Sequence, residues 1–233
     1  MKRTTLKERV LPNYSKPVEL FNSISHIVGS VFGVAALTIC VAFAAVHQNV
    51  YAIISSAIYG ASMIVLYTIS GIYHGLNGET IKKVFQVLDH DSVYLLIGGS
   101  YTPIIFCKII PFSTAIGWTM FGIVWGLTIL GIVFKSIDFV KFRVITMVFY
   151  LLIGWSILFV FPFMIYKMGF ARFFNYMGAT PGFILLLGGG VAYTIGSVFL
   201  KIGQKKDVGH SILHIFVLLG SFLHFFYILL YVI

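Results

Sequence analysis

The chain has 233 residues, of which 59% are hydrophobic and 10% charged, with a net charge of +9 and a mean hydropathy of +1.00. A soluble domain is ordinarily about 45–50% apolar and 25% charged. The composition therefore excludes a soluble enzyme or binding module and predicts an integral membrane protein.

Seven apolar stretches recur along the chain, each near the roughly 20 residues that cross a hydrocarbon core. They are Phe21–Val46, Tyr51–Tyr73, Leu88–Phe106, Phe112–Phe134, Val144–Phe163, Gly182–Leu200 and His210–Val232. We predict an all-α bundle of seven transmembrane helices, forming one membrane domain over residues 21–233 after a short basic tail, residues 1–20. The first apolar run is longer than a signal-peptide core of about 7–15 residues, so we expect the chain to stay intact.

The distribution of lysine and arginine predicts the orientation of the bundle. Thirteen of the 16 basic residues fall in the N-terminal tail and in the three loops on its side: Lys2, Arg3, Lys7, Arg9, Lys16, Lys82, Lys83, Lys135, Lys141, Arg143, Lys201, Lys205 and Lys206. Basic residues accumulate on the cytoplasmic side during insertion. We therefore expect the N-terminus to be cytoplasmic and the C-terminus to lie outside.

Three other features of the chain have simple interpretations. The basic residues are spread over four short segments rather than one clustered face, which argues against a nucleic-acid partner. Cys40 and Cys107 lie in or beside apolar spans, so we expect buried thiols rather than disulfides. The glycines of LLLGGGVAY, residues 185–193, are typical of close helix packing.

Polar residues inside membrane spans are energetically costly, so they indicate function by default. Four clusters stand out: Glu19, Asn22 and His26 in ELFNSISH; Ser70 and His74 in SGIYH; Asp89, His90 and Asp91 in LDHDS; and His210 and His214 in HSILH. By the predicted topology all four fall in the cytoplasmic half of the membrane. We expect them to share a polar chamber that opens toward the cytosol.

The histidines of this chamber predict a metal site. His210 and His214 lie one helical turn apart, as in helical zinc sites, and His74 from another helix adds a third imidazole, leaving a fourth position open. Asp89 would orient or deprotonate a water, and the Ser70 hydroxyl would hydrogen-bond a water or an oxyanion. The alternative for any one histidine is hydrogen bonding between helices.

The remaining polar residues are assigned more modest roles. Asp89, His90 and Asp91 cannot all point inward, so we expect one to face the chamber and the others to face the headgroup region. Glu19, Asn22 and His26 lie on one helical stripe, where bracing of the first span is favoured over contact with substrate. His224 lies about 15 Å deeper than His214 at 1.5 Å per residue, and we expect it to pack between helices.

The ordered motifs ELFNSISH, SGIYH, LDHDSVYLLIGGSYTP and HSILHIFVLLGSFLH resemble the hemolysin III branch of the progestin and adipoQ receptor family, which includes the adiponectin receptors. The resemblance covers nearly all of the chain from Glu19 onward. It implies seven helices, a cytoplasmic N-terminus and a multi-pass location in a bacterial plasma membrane. It also implies one zinc ion held by His74, His210 and His214, with Asp89 beside its water and Ser70 in the SxxxH motif.

These observations favour an integral membrane zinc hydrolase that acts on a membrane lipid amide or ester. The alternatives are a membrane-perturbing or pore-forming cytolysin and a lipid-sensing regulator without catalysis. An ion transporter ranks last, because polar residues at the outer helix ends are few. The receptor members carry longer N-terminal domains that engage partners, so we expect no hormone partner here.

Overall fold

A computed structural model describes residues 4–6, 8–202 and 207–233. Within these residues, seven helical segments are long and apolar enough to cross a membrane, as predicted. The helices are α1 (Lys16–Val46), α2 (Val50–Gly75), α3 (Glu79–Ile104), α4 (Ile110–Phe112), α5 (Thr114–Ile137), α6 (Arg143–Gly154), α7 (Ile157–Met168), α8 (Phe170–Tyr176), α9 (Ala179–Ile202) and α10 (Asp207–Tyr231). The third span comprises α3, a π-helix (Ile105–Ile109) and α4, and the fifth comprises α6 and α7.

Two helices begin at least about five residues earlier than the apolar pattern predicted, beyond the expected error of about three residues. α1 begins at Lys16 rather than Phe21, because Pro17 in the first turn needs no N–H partner and starts a helix well. α3 begins at Glu79, nine residues before Leu88. Its first turns are rich in glutamate, lysine and glutamine, which are good helix formers but are invisible to a search for apolar runs.

The helices pack in chain order around α3, the most buried of the seven spans. α1 packs along α2, α2 along α3, and α3 along α5, while α10 packs along α9 and closes against α1. A Cβ at Gly60 of α2 would lie 2.6 Å from the Leu37 Cα, so α1 and α2 approach at that glycine. Among the described residues, no comparable packing joins α6 or α7 to α9.

The fifth span is broken between α6 and α7, beside the sparsely packed α6 and α9 pair. At the break, the Tyr101 hydroxyl donates to the Gly154 carbonyl at 2.7 Å and accepts from the Ile157 N–H at 3.4 Å. These bonds satisfy backbone groups that an interrupted membrane helix would leave exposed. The Trp155 indole N–H donates to the Thr194 hydroxyl at 3.1 Å and bridges to α9.

The segment before α1 packs against the bundle. Thr4 N–H donates to the Asp138 carboxylate at 2.8 Å, and the Arg9 guanidinium donates to the Gln86 amide oxygen at 2.6 Å. The predicted tail is therefore folded over the helix ends at Arg9 and helical from Lys16. Of the residues that carried the orientation argument, Lys2, Arg3, Lys7, Lys205 and Lys206 lie outside the described residues.

Candidate metal centre

Three histidines meet at the end of the bundle where α1, α3 and α10 begin and α2 ends, which we call the histidine end. His74 comes from the last turn of α2, and His210 and His214 come from the first two turns of α10. Their ring centroids are 4.8–5.0 Å apart, and all three side chains are buried. One candidate ligand nitrogen from each ring lies within 4.8 Å of the others.

The orientation of His74 is fixed by Glu19. The Glu19 carboxylate lies 2.5 Å from the His74 Nδ1 with one oxygen and 2.6 Å from the Lys82 Nζ with the other. Because a carboxylate accepts, the His74 Nδ1 carries the proton and donates it to Glu19, which leaves the Nε2 lone pair free toward the cluster. A histidine with a carboxylate behind it is the usual arrangement in zinc proteins.

The donor set fits a zinc ion. His74 Nε2 lies 3.2 Å from His210 Nε2, and two nitrogens bound tetrahedrally to one zinc at about 2.0–2.1 Å lie about 3.3 Å apart. The 4.8 Å span of the whole set is wider, so the third ring has to turn inward to complete such a site. Three buried histidines are thus consistent with a metal centre of the kind predicted from the sequence.

An apolar cavity of about 150 Å³ begins at the histidines and runs into the bundle. Its polar lining at the histidine end includes His210, His214, Ser70 and Asp89. The Ser70 hydroxyl lies within reach of the Asp89 carboxylate but makes no hydrogen bond of good geometry among the described residues. A hydroxyl in that position can donate either to Asp89 or to a ligand in the cavity.

The inner side of the cluster is covered by a fourth histidine. His26 stacks on His214 with ring centroids 3.6 Å apart and an interplanar angle of 16°. The neighbouring Asn22 accepts a hydrogen bond from the Ser211 hydroxyl at 2.8 Å, which ties α1 to α10. His26 lines the cavity, whereas Asn22 fastens the helix that carries His210 and His214.

The amino-acid sequence of this chain matches one known protein family. The family model described as "Haemolysin-III related" matches residues 14–225. The chain belongs to this family.

The family assignment confirms the resemblance seen in the four motifs. The Hemolysin-3 of Bacillus cereus is 35% identical over 214 residues, covering 92% of this chain and 91% of that protein. The Hemolysin-3 homolog of Bacillus subtilis (strain 168) is 35% identical over 91% of this chain and 93% of its own length. The human "Monocyte to macrophage differentiation factor" is 25% identical over 74% of this chain and 68% of its own.

In this haemolysin III-related chain, Asp89, His90 and Asp91 of α3 do not divide as expected into one residue that faces the chamber and two that face the headgroup region. Asp89 faces the cavity, but His90 lines it as well. Asp91 does not face the headgroup region: it is buried and accepts a hydrogen bond from the Ser136 hydroxyl of α5 at 2.8 Å. The C-terminal end of α5 packs against the middle of α3 here, so a position that seemed peripheral by helical angle is covered by a neighbour.

His224 makes the interhelical contact that the sequence predicted. Its Nε2 donates to the Leu186 carbonyl of α9 at 3.1 Å, and its ring lies against Gly189, where any side chain would collide with it. Of the three consecutive glycines, Gly189 is the one that close packing requires.

Sequence reasoning missed two residues at the centre. Tyr14 stacks on His210 with centroids 5.0 Å apart and lies 6.1 Å from the His74 ring, so the segment before α1 covers the cluster. Lys82 holds the second oxygen of Glu19. Neither lies in an apolar span, and an aromatic residue in a short tail carries no pattern that would have identified it.

Proposed function

We propose that the protein is a zinc-dependent hydrolase that acts on an amide or ester bond of a membrane lipid. The observation that supports this most is the juxtaposition of three buried histidines, the buried Asp89 carboxylate and the Ser70 hydroxyl beside it at one end of an apolar cavity. Metal-dependent hydrolysis of a carbonyl compound uses ligands for an electrophilic metal, a base and a hydrogen-bond donor, and these residues offer all three.

The residues of the chain divide the chemistry among them. When bound, zinc supplies a Lewis acid that polarises a carbonyl and lowers the pKa of water to about 7. The Asp89 carboxylate takes the proton of the attacking water and later delivers it to the leaving amine or alcohol. The Ser70 hydroxyl donates a hydrogen bond to the developing oxyanion, and Glu19 keeps the His74 Nδ1 proton in place.

The cavity accounts for the choice of a lipid. Beyond the polar end its walls are formed mainly by aliphatic and aromatic side chains, among them Leu66, Val93, Leu96, Ile97, Leu213 and Val217. Trp155 and Thr194 line it where α6 and α9 pack sparsely. A lipid chain that enters between these two helices, past the Trp155–Thr194 hydrogen bond, would not cross the headgroup region, which suits an acyl substrate.

Turnover of fluorogenic N-acyl amide and acyl ester lipids by the purified chain in nanodiscs tests the proposal. We expect turnover that is abolished by a chelator, restored by zinc, and lost in His210→Ala and His214→Ala. Asp89→Asn should lower kcat by about 10²–10⁴-fold, the usual contribution of a positioned base.

Asp91→Asn is the matched control, since it removes a neighbouring carboxylate that faces Ser136 rather than the cavity. It should leave kcat within a few-fold of the parent chain. Full turnover by zinc-free protein, or equal losses in the two aspartate variants, would contradict the mechanism.

The names of the two Bacillus relatives, Hemolysin-3 and Hemolysin-3 homolog, support a second candidate, a membrane-perturbing protein. That function requires leakage from dye-loaded liposomes. Leakage that is equal in the parent chain and in His210→Ala would favour it over hydrolysis, whereas intact liposomes together with zinc-dependent turnover would exclude it.

A further inference from the structure

A second cavity, of about 280 Å³, lies at the histidine end and is lined by Arg9, Lys135 and Arg143. We call it the basic vestibule. It shares His90, Tyr150 and His210 with the apolar cavity, so the two adjoin at the candidate metal centre. Its lining contains three cationic side chains and no carboxylate.

Two of these cations are withdrawn from solvent. Lys135 is 3% exposed and Arg9 is 7% exposed. Lys135 donates to the Thr146 hydroxyl at 3.3 Å and Arg9 to the Gln86 amide oxygen at 2.6 Å, and the two charged groups lie 4.5 Å and 4.4 Å from the Phe139 ring. Each of these hydrogen bonds uses one N–H group, whereas a lysine has three N–H donors and an arginine has five.

No carboxylate pairs directly with a cation of the vestibule among the described residues, although Asp91 and Asp138 lie near enough to attract Arg9 at longer range. Among the described residues, no carboxylate oxygen lies within 4.0 Å of Arg9, Lys135 or Arg143. Asp138 is held instead by the backbone N–H groups of Thr4, Val140 and Lys141. The nearest buried acid, Asp91, accepts from Ser136 and does not line the vestibule.

The preference of basic residues for the cytoplasmic side of a membrane accounts for exposed cations, but it does not account for the burial of Arg9 and Lys135. A lysine or arginine that sets the orientation of a span serves equally well in water, as the exposed Lys16 does. A buried cation loses hydration, and a ring face or a carboxylate beyond contact distance offsets only part of that cost. Burial lowers the pKa of Arg9 from its ordinary value, yet an arginine stays protonated in proteins. A bound anion would therefore stabilise the buried cations of the basic vestibule.

We propose that the basic vestibule binds a phosphate group, with Arg9 and Lys135 as its principal contacts. Arginine offers a planar fork that matches phosphate oxygens, and lysine adds a compact charge. Three cations with no lining carboxylate suit a phosphomonoester better than a single carboxylate. The group comes either from an anionic lipid headgroup, whose chains the apolar cavity or the surrounding leaflet would hold, or from a soluble phosphate.

Binding to the chelator-treated full chain in phosphatidylcholine nanodiscs tests this site independently of the proposed hydrolysis, because no metal or turnover is involved. The probes are dioctanoyl phosphatidic acid, dioctanoylglycerol without phosphate, and inorganic phosphate, each measured by native mass spectrometry. We expect phosphatidic acid to bind at least about tenfold more tightly than dioctanoylglycerol. Loss of one charged contact should weaken binding about tenfold or more.

Lys135→Met and Arg9→Gln should both show that loss, and Lys16→Met is the matched control at the same end of the bundle. Arg9 lies before α1, so its variant tests the site even if Lys135→Met fails to fold. Phosphatidic acid bound without competition from millimolar inorganic phosphate supports a lipid headgroup as the source. Inorganic phosphate that binds alone and competes supports a soluble source. Equal affinities for phosphatidic acid and dioctanoylglycerol, or equal affinities of Arg9→Gln and Lys16→Met, would overturn the proposal.

Discussion

Replacing Glu19 by glutamine should weaken metal binding although Glu19 is not a candidate ligand. The carboxylate lies 2.5 Å from the His74 Nδ1 and fixes both the tautomer and the orientation of the ring. Glutamine has nearly the same shape but no charge, and its side chain can rotate to present an N–H to the imidazole. His74 would then lose the partner that keeps its Nε2 lone pair directed at His210, 3.2 Å away.

The expected loss of zinc affinity is about 10–100-fold, the usual effect of removing a hydrogen-bond partner of a metal-bound histidine. This corresponds to about 1.4–2.7 kcal/mol at 25 °C. Competition with a chromogenic chelator, monitored in detergent solution at constant pH, measures it directly.

Glu79→Gln is the matched control for this substitution. Glu79 also pairs with a lysine, Lys83 at 2.7 Å, but its side chain is 75% exposed. Its variant should bind zinc like the parent chain. If Glu19→Gln retains the parent affinity, or if Glu79→Gln loses as much, then Glu19 does not act through His74 and the reasoning is refuted.

Three further predictions concern other parts of the molecule. Ser70→Ala should lower kcat by about 10²–10³-fold, as for other oxyanion donors, with unchanged zinc content; a parallel loss of zinc would instead assign Ser70 a structural role. Gly60→Ala should lower the free energy of unfolding by about 1–3 kcal/mol, because the new methyl group would meet the backbone of Leu37. Gly126→Ala should leave the free energy of unfolding unchanged, because no atom lies within 4 Å of its new methyl group. Denaturant titration of the two variants measures the difference. The backbone N–H groups of Lys141 and Thr4 lower the pKa of Asp138, so the attachment of the N-terminal segment is stable at neutral pH and is lost as the pH falls through that lowered pKa. Hydrogen exchange of residues 8–14, corrected for its intrinsic pH dependence, should rise as the pH falls through that lowered pKa. In Asp138→Asn it should be independent of pH, and a parent chain whose protection is also independent of pH throughout the acid range would contradict this.

Hydropathy was sufficient to predict the seven spans, because a membrane imposes a length and an apolar composition on each of them. It failed where a helix extends into the polar region. Charged and amide residues interrupt the apolar residues in the first turns of α3, so the apolar pattern placed the start at Leu88 rather than Glu79. The π-helix after Pro103 was equally invisible, since a proline alone does not say how the freed backbone groups are satisfied.

The candidate metal centre was predictable to the extent that the order and direction of the helices place its polar residues at the same end of the bundle. Placing the polar clusters in one half of the membrane was enough to predict that His74 would meet His210 and His214. The pairing of Glu19 with His74 was not predictable, because it depends on the angle at which α1 crosses α2. The contact of Tyr14 with the histidines and the burial of Arg9 were not predicted for a similar reason. Both depend on how a short non-helical segment folds over the helix ends, and a search for periodic apolar residues does not detect this.

The most direct test of the central claim is the metal content and metal environment of the purified chain. Elemental analysis should find one zinc ion per chain, and X-ray absorption at the zinc edge should show histidine nitrogens at about 2.0–2.1 Å. His210→Ala and His214→Ala should each lose the ion, while a change of the deeper His224 to alanine should retain it. Zinc retained by both variants, or a well-folded parent chain that binds no metal, would contradict the account.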